Sequence, residues 1–253
     1  MSLVLHQLRY DQKVFWRNPA AVFFTVAFPV ILLLIFATVF GGQTIDVAGG
    51  IEITTYYVPA IVTLAVISAT MQTLAMSLTI AREEGRLKRG RGTPMPPWVF
   101  VAGRIGNSIV VALIMLALVA LLGKLVYGVP IPWARAPELL VVLTVGAASF
   151  CCLGIALTAA IPSQDAAAPI VNALLLPLYF LSGVFIPEDE LPTGVLDFAG
   201  YFPVRPFFEA FFDAYVAGAG DALAWGDLAV VAAWGAAGLL LAIRFFRWTP
   251  RGG

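Results

Sequence analysis

The chain has 253 residues, of which 60% are hydrophobic and 12% charged, and its mean hydropathy is +0.92. A soluble domain is roughly 45–50% apolar and about 25% charged. With half the usual charge this chain cannot clothe a globule in polar surface, which excludes a soluble enzyme, a disordered protein and a nucleic-acid binder. The 15 basic residues balance the 15 acidic ones, so net charge points to no polyanionic partner. The information lies in where the charges sit.

Residues 1–18 read as an amphipathic helix lying in the membrane interface, with Val4, Leu5, Leu8 and Phe15 on one face and Gln7, Asp11, Lys13 and Asn18 mostly elsewhere. This is not the pattern of a cleavable signal, because Arg9, Asp11, Lys13 and Arg17 precede an apolar run too long for a signal core. Asn18-Pro19 then breaks the first helix and starts the next.

Charge-free runs follow, from Ala20 to Ile45, Ile53 to Ala81, Ile105 to Gly123, Leu139 to Gln164, Ala166 to Pro187, and Leu228 to Ile243. A bilayer core needs about 20 mostly apolar residues per helix, and a central charge costs about 2.5–3.5 kcal/mol on insertion scales. Six spans are therefore expected, over 20–45, 53–81, 99–125, 138–162, 166–186 and 225–246. The last reaches spanning length with Trp225 and Phe245-Phe246 in the interfaces. The fold class is an all-α membrane protein, one domain over 1–253. With the N-terminus in the cytoplasm, 12 of the 15 basic residues fall inside, leaving Lys124, Arg135 and Arg205 outside. The basic bias thus puts both termini in the cytoplasm.

Three connections carry information. The loop over 82–97, between spans two and three, holds Arg82, Arg86, Lys88, Arg89 and Arg91 with Glu83 and Glu84, before Pro94, Pro96 and Pro97. It reads either as a topology anchor or as a docking element, in which a short helix near Arg82–Arg89 presents charge on all faces to a cytoplasmic partner. The segment over 187–215 carries Glu188, Asp189, Glu190, Asp197, Glu209 and Asp213. Its Leu196, Phe198, Phe202, Phe207, Phe208, Phe211 and Phe212 are too apolar for a loop in water. It reads as short helices re-entering the outer half of the membrane, where backbone must be helical or covered by protein. The connection at Ile161-Pro-Ser-Gln-Asp165 is so short that spans four and five are antiparallel neighbours.

Other chemistry is missing from the sequence. No span centre holds Asp, Glu, Lys, Arg or His, which argues against a self-sufficient proton-coupled carrier. Gly123-Lys124 is followed by Leu125 and has no upstream glycine at phosphate-loop spacing. His6 is the single histidine, and the adjacent Cys151 and Cys152 read as small packing residues, so no metal set or nucleophile–histidine pair is expected. Directional work would draw its energy from another chain.

The chain resembles the permease subunit of type-2 ABC exporters, among them bacterial drug-efflux permeases of the daunorubicin-resistance kind. The resemblance rests on Arg17-Asn18-Pro19 with Phe28-Pro29, on the run from Arg82 to Arg89 through Thr93-Pro94-Met95, and on Leu176 through Pro187 followed by Leu191-Pro192 and Tyr201-Phe202-Pro203. It departs from the family pattern at Arg86 and at Gly90-Arg91-Gly92. The resemblance implies a bacterial inner-membrane, multi-pass protein that pairs with a second permease chain, identical or homologous, above two cytoplasmic ATPase subunits. This chain would bind no cofactor; ATP and magnesium would belong to the ATPases. Arg82, Glu83, Glu84, Gly85, Arg86, Leu87, Lys88 and Arg89 would form the ATPase-coupling segment. Cargo would pass near spans two and five, where Ser68, Gln72, Thr73, Asn172, Tyr179 and Ser182 are the candidates, with Thr70 beside them. Each of these also has a plain structural reading as a helix–helix or backbone hydrogen bonder. The expected activity is ATP-driven export of amphipathic small molecules or drugs. The alternative is export of a lipid-linked glycan or another lipid-like envelope precursor, with Tyr56, Tyr57 and Tyr179 offered for stacking on sugars.

Overall fold

A computed structural model describes residues 3–47, 49–91, 97–216 and 223–246. Residues 92–96 of the expected coupling loop, and Arg247 and Arg251, lie outside the described residues, as do the side chains of Val4, Arg89 and Arg91.

Helix α1 spans Leu3–Trp16. The Asn18 side chain caps the next helix by accepting from the Ala21 amide at 3.2 Å, and Pro19 occupies the first turn, where no backbone N–H is needed. Helix α2 covers Pro19–Val39. A hairpin of two short antiparallel strands, β1 (Thr44–Ile45) and β2 (Ile51–Glu52), leads to α3, Ile53–Glu83. Then come α4 (Arg86–Arg91), α5 (Pro97–Tyr127), α6 (Ala136–Leu157), α7 (Gln164–Leu181), α8 (Thr193–Gly200), α9 (Val204–Tyr215) and α10 (Trp225–Phe245). Six of these, α2, α3, α5, α6, α7 and α10, are long and apolar enough to cross a membrane. The protein is an all-α, multi-pass membrane protein.

Helix ends differ from the charge-free runs for local reasons. The first span was expected to reach residue 45, but α2 stops at Val39 and residues 44–45 pair as a strand. Gly42 takes a left-handed φ of +81°, which turns the chain out of the helix. The fourth span was expected to run to 162, yet α6 ends at Leu157, before a turn that leads into Pro162. The fifth was expected to reach 186, yet α7 ends at Leu181, because Gly183 adopts a φ of +86°. The third extends past its expected bounds at both ends.

Helix α3 is the centre of the bundle. Its side chains from Tyr56 to Met71 are buried, and it packs against α2, α5, α6 and α9. Helices α6 and α10 lie close together along a small-residue face. A Cβ on Gly235 would meet Ser149 Oγ at 2.4 Å, and one on Gly238 would meet the Leu153 amide at 2.9 Å. Amphipathic α9 buries Phe207, Phe208, Phe211 and Phe212 among α3, α6 and α10. The Phe207 ring occupies the space where Gly146 lacks a side chain. Of the seven apolar residues named in the 187–215 segment, Phe198 instead stands exposed.

Helix α1 packs on the start of α5 through the bare faces of Gly103 and Gly106, against Gln7 and Leu8. The expected face assignment is corrected here. Asp11 is on the packed side with Phe15, buried to 1% exposure, while Leu5 is exposed. Asp11 turns inward because Arg104 of α5 answers its charge at 3.6 Å and Gln7 donates to it at 3.2 Å.

Candidate functional site: a polar pair on the spans and a buried arginine at their basic end

Midway along α3 the α-helical ladder gives way to a π turn over Ser68–Gln72. Two threonine hydroxyls hold it. Thr70 Oγ1 donates to the Val66 carbonyl at 2.7 Å, and Thr73 Oγ1 donates five residues back to the Ser68 carbonyl at 2.7 Å. Helix α6 presses directly on this turn, because Gly154 leaves room for the Met71 backbone; a Cβ there would lie 2.8 Å from the Met71 carbonyl oxygen. Such π turns reset the facing of side chains and recur at functional sites.

The reset places Gln72 opposite α7, where its Nε2 donates to Asn172 Oδ1 at 3.2 Å. Asn172 is exposed on the outside of the chain and Gln72 is half-buried. Thr73 is half-buried and spends its hydroxyl on the backbone. Ser68 is buried and neighbours the buried Tyr179 hydroxyl. Ser182 is buried and donates to the Tyr179 carbonyl at 3.2 Å, closing the end of α7. The six pathway candidates thus divide into an accessible pair, Gln72 and Asn172, with Thr73 beside it, and three interior residues.

At the far end of α3 and α7 lie Tyr56 and Tyr57, offered by the sequence for stacking on sugars; in the structure their hydroxyls go to backbone carbonyls instead. Tyr56 donates its hydroxyl to the Gly183 carbonyl at 2.6 Å, and Tyr57 donates to the Phe185 carbonyl at 3.3 Å. The Tyr56 ring packs edge-on against Phe208 at 5.6 Å between centroids, and Tyr57 lies 4.7 Å from Phe36. Both tyrosines are buried, so neither offers a face for stacking. Nearby, Arg205 ion-pairs with Glu188 at 3.3 Å and with Glu209 one helical turn on. Burial pushes the Glu209 carboxyl up to about 7 despite the opposing pull of Arg205, and raises Glu188 as well. A lone basic residue among many acids was the sequence signal for this cluster.

The basic end holds the expected coupling segment. Gly85, at φ +69°, ends α3, and its amide donates to the Arg82 carbonyl at 3.0 Å. Glu84 and Arg86 form an exposed ion pair at 2.6 Å, and Lys88 is exposed. Glu83 is half-buried. The expectation of charge on every face is corrected, because Leu87 and Arg82 turn inward. Leu87 joins a small apolar cluster with Leu78, Cys151, Ile155 and Ala242. Arg82 has only 2% of its side chain exposed and spends its guanidinium on three acceptors: Glu83 Oε1 and the Thr158 and Ile161 carbonyls, each at 2.8 Å. At the same end, burial raises the Asp11 carboxyl, with Arg104 and Gln7 opposing.

Residues 4–216 match the family model described as ABC-2 type transporter. The chain belongs to the ABC-2 type transporter family. It is also similar to the probable multidrug ABC transporter permease YbhR of Escherichia coli strain K12, 22% identical over 173 residues, which is 68% of this chain and 47% of that protein. The permease of the same name from Escherichia coli O157:H7 matches to the same extent. The chain therefore spans about half the length of the curated relatives it matches. The family is one of membrane transporters, in keeping with the six long apolar helices.

Proposed function

We propose that this ABC-2 family chain is the permease of an ATP-driven exporter that moves amphipathic small molecules or drugs outward across a bacterial inner membrane. Both termini, α1 and α4 lie on the cytoplasmic side in this reading, and α8 and α9 on the outer side. It pairs with a second permease, identical or homologous, and is driven by two ATPase subunits that hold ATP and magnesium. The exposed surface of α4 and the turn before it, with Glu84, Arg86 and Lys88, is the docking face, and Glu83 sits at its edge.

The observation that carries the reading is the Gln72–Asn172 pair. An amide pair on the outward face of two apolar spans is poorly matched to lipid tails, so its natural neighbour is a second permease chain or a cargo with polar groups. Pro169 and Leu176, about one helical turn either side of Asn172, are exposed and apolar, which suits an amphipathic cargo. A lipid-linked glycan is the second reading. It would call for aromatic faces along the path, and the burial of Tyr56, Tyr57 and Tyr179 favours the small-molecule reading over it.

The test is co-expression with the ATPase partner and reconstitution of the complex in lipid. Wild type should retain the ATPase and turn over ATP faster with amphipathic drugs present. Glu84→Lys, which reverses an exposed charge without touching the core, should weaken retention or remove the drug response. A wild-type chain that holds no ATPase subunit would overturn the exporter reading.

A further inference from the structure

We propose that Arg82 is a positioning residue that makes the turn between α6 and α7 move together with the coupling segment. The inference rests on the exporter reading above and extends it, because the exposed charges of α4 can receive force from an ATPase, while Arg82 bonds the coupling segment directly to the turn between α6 and α7.

The geometry is that of a strut. Arg82 is at the last turn of α3, four residues before α4 begins at Arg86. Its two terminal nitrogens donate to the carbonyls of Thr158 and Ile161, both at 2.8 Å, and so grip both ends of the turn that follows α6. Carbonyls at the end of a helix lack donors from their own ladder and carry its negative dipole end, so a buried cation there is doubly matched. The third nitrogen is taken by Glu83, which fixes the guanidinium plane. A planar fork with three fixed partners resists shear in a way that a point charge on a flexible stem does not. Beneath it, Leu78 of α3, Leu87 of α4, and Cys151 and Ile155 of α6 form one apolar cluster, so the strut closes a packed unit.

The turn held this way leads into α7, which carries Asn172, while α3 carries Gln72. Displacement of the coupling segment therefore reaches both partners of the exposed pair, directly through α3 and by way of Arg82 through α7.

The experiment uses the full complex with its ATPase in lipid nanodiscs. Spin labels on Ile80→Cys, half-buried near the end of α3 and outside the docking face, and on the exposed Ala160→Cys report the distance from the end of α3 to the turn. With Arg82 intact this distance should be the same with and without trapped nucleotide. Arg82→Met should retain the ATPase, broaden the distance on nucleotide trapping, and reduce cargo transported per ATP by roughly 2- to 30-fold, the range for residues that carry coupling between sites. Arg82→Lys, which keeps the charge but loses the fork, should fall between the two. An Arg82→Met complex with unchanged distance and unchanged transport per ATP would overturn the strut while leaving the exporter reading intact. Failure of the wild-type chain to hold the ATPase removes the exporter reading instead, and the strut with it. Where Arg82→Met yields no folded complex, Arg82→Lys decides by the same two readouts.

Discussion

The Gln72 amide on α3 donates to the Asn172 amide oxygen on α7 across 3.2 Å, joining residues 100 positions apart. Paired amides in membrane helices contribute on average about 0.6 kcal/mol and at most about 2 kcal/mol. Neither side chain should therefore be essential to folding. Gln72→Ala and Asn172→Ala should each leave thermal stability in detergent nearly unchanged, yet shift the drug concentration for half-maximal ATPase stimulation. The double variant should shift it by less than the sum of the two singles. Equal losses of stability and of drug response would identify the pair as packing alone.

Gly154 is the close-approach point of α6 on the π turn of α3, with space for no side chain beside the Met71 carbonyl. Gly154→Ala should cost about 1–3 kcal/mol, the usual penalty of overpacking a rigid core. A thermal melt of the purified protein checks it. Gly194, whose Cβ would meet nothing within 4 Å, provides the control substitution.

Glu209 gives the protein a pH-dependent element near neutrality. Its carboxyl is raised from the usual range to about 7, chiefly by burial. A carboxyl raised in the folded state holds its proton more tightly there than in the unfolded chain. Stability is thus lost as pH rises from about 4.5 to about 7, and the loss is complete above that. The melting temperature of wild type should fall relative to that of Glu209→Gln between pH 5 and pH 8. Parallel curves for the two proteins would show that Glu209 does not titrate there.

Asp11 and Arg104 tie α1 to α5 in a largely buried ion pair at 3.6 Å. Removing one partner of such a pair typically costs about 3–5 kcal/mol, whereas replacing both by apolar groups is often nearly neutral. Asp11→Leu should make α1 more open to proteolysis after Arg9 and Lys13. The double change with Arg104→Met should restore much of the protection, as mass spectrometry of limited digests would show.

The legible features of the sequence were those fixed by composition and local chemistry. Lipid admits only backbones that satisfy their own hydrogen bonds, so long charge-free runs implied six helices before any packing was known. The Asn18-Pro19 start of α2 was legible because cap and first-turn preferences are local. The helix ends at Val39 and Leu181 were not, because they depend on the left-handed glycines Gly42 and Gly183, and glycine also appears inside helices here, as at Gly146 and Gly154. The burial of Tyr56 depends on Phe208 and Phe212 arriving from α9, more than 100 positions further along the chain.

The sequence by itself determined the solvent this protein lives in, the number of its spans and the clustering of its basic residues at one end, since each follows from hydropathy and charge along the chain. Only the tertiary structure decided which polar residues are available. A run such as Arg82 to Lys88 reads as uniformly charged in one dimension. In three dimensions one arginine is drawn inward by carbonyls at the end of a distant helix, while Glu84, Arg86 and Lys88 remain outside. The physical reason is that a buried charge is tolerated only where fixed acceptors replace its water, and those acceptors come from a turn more than 70 positions away.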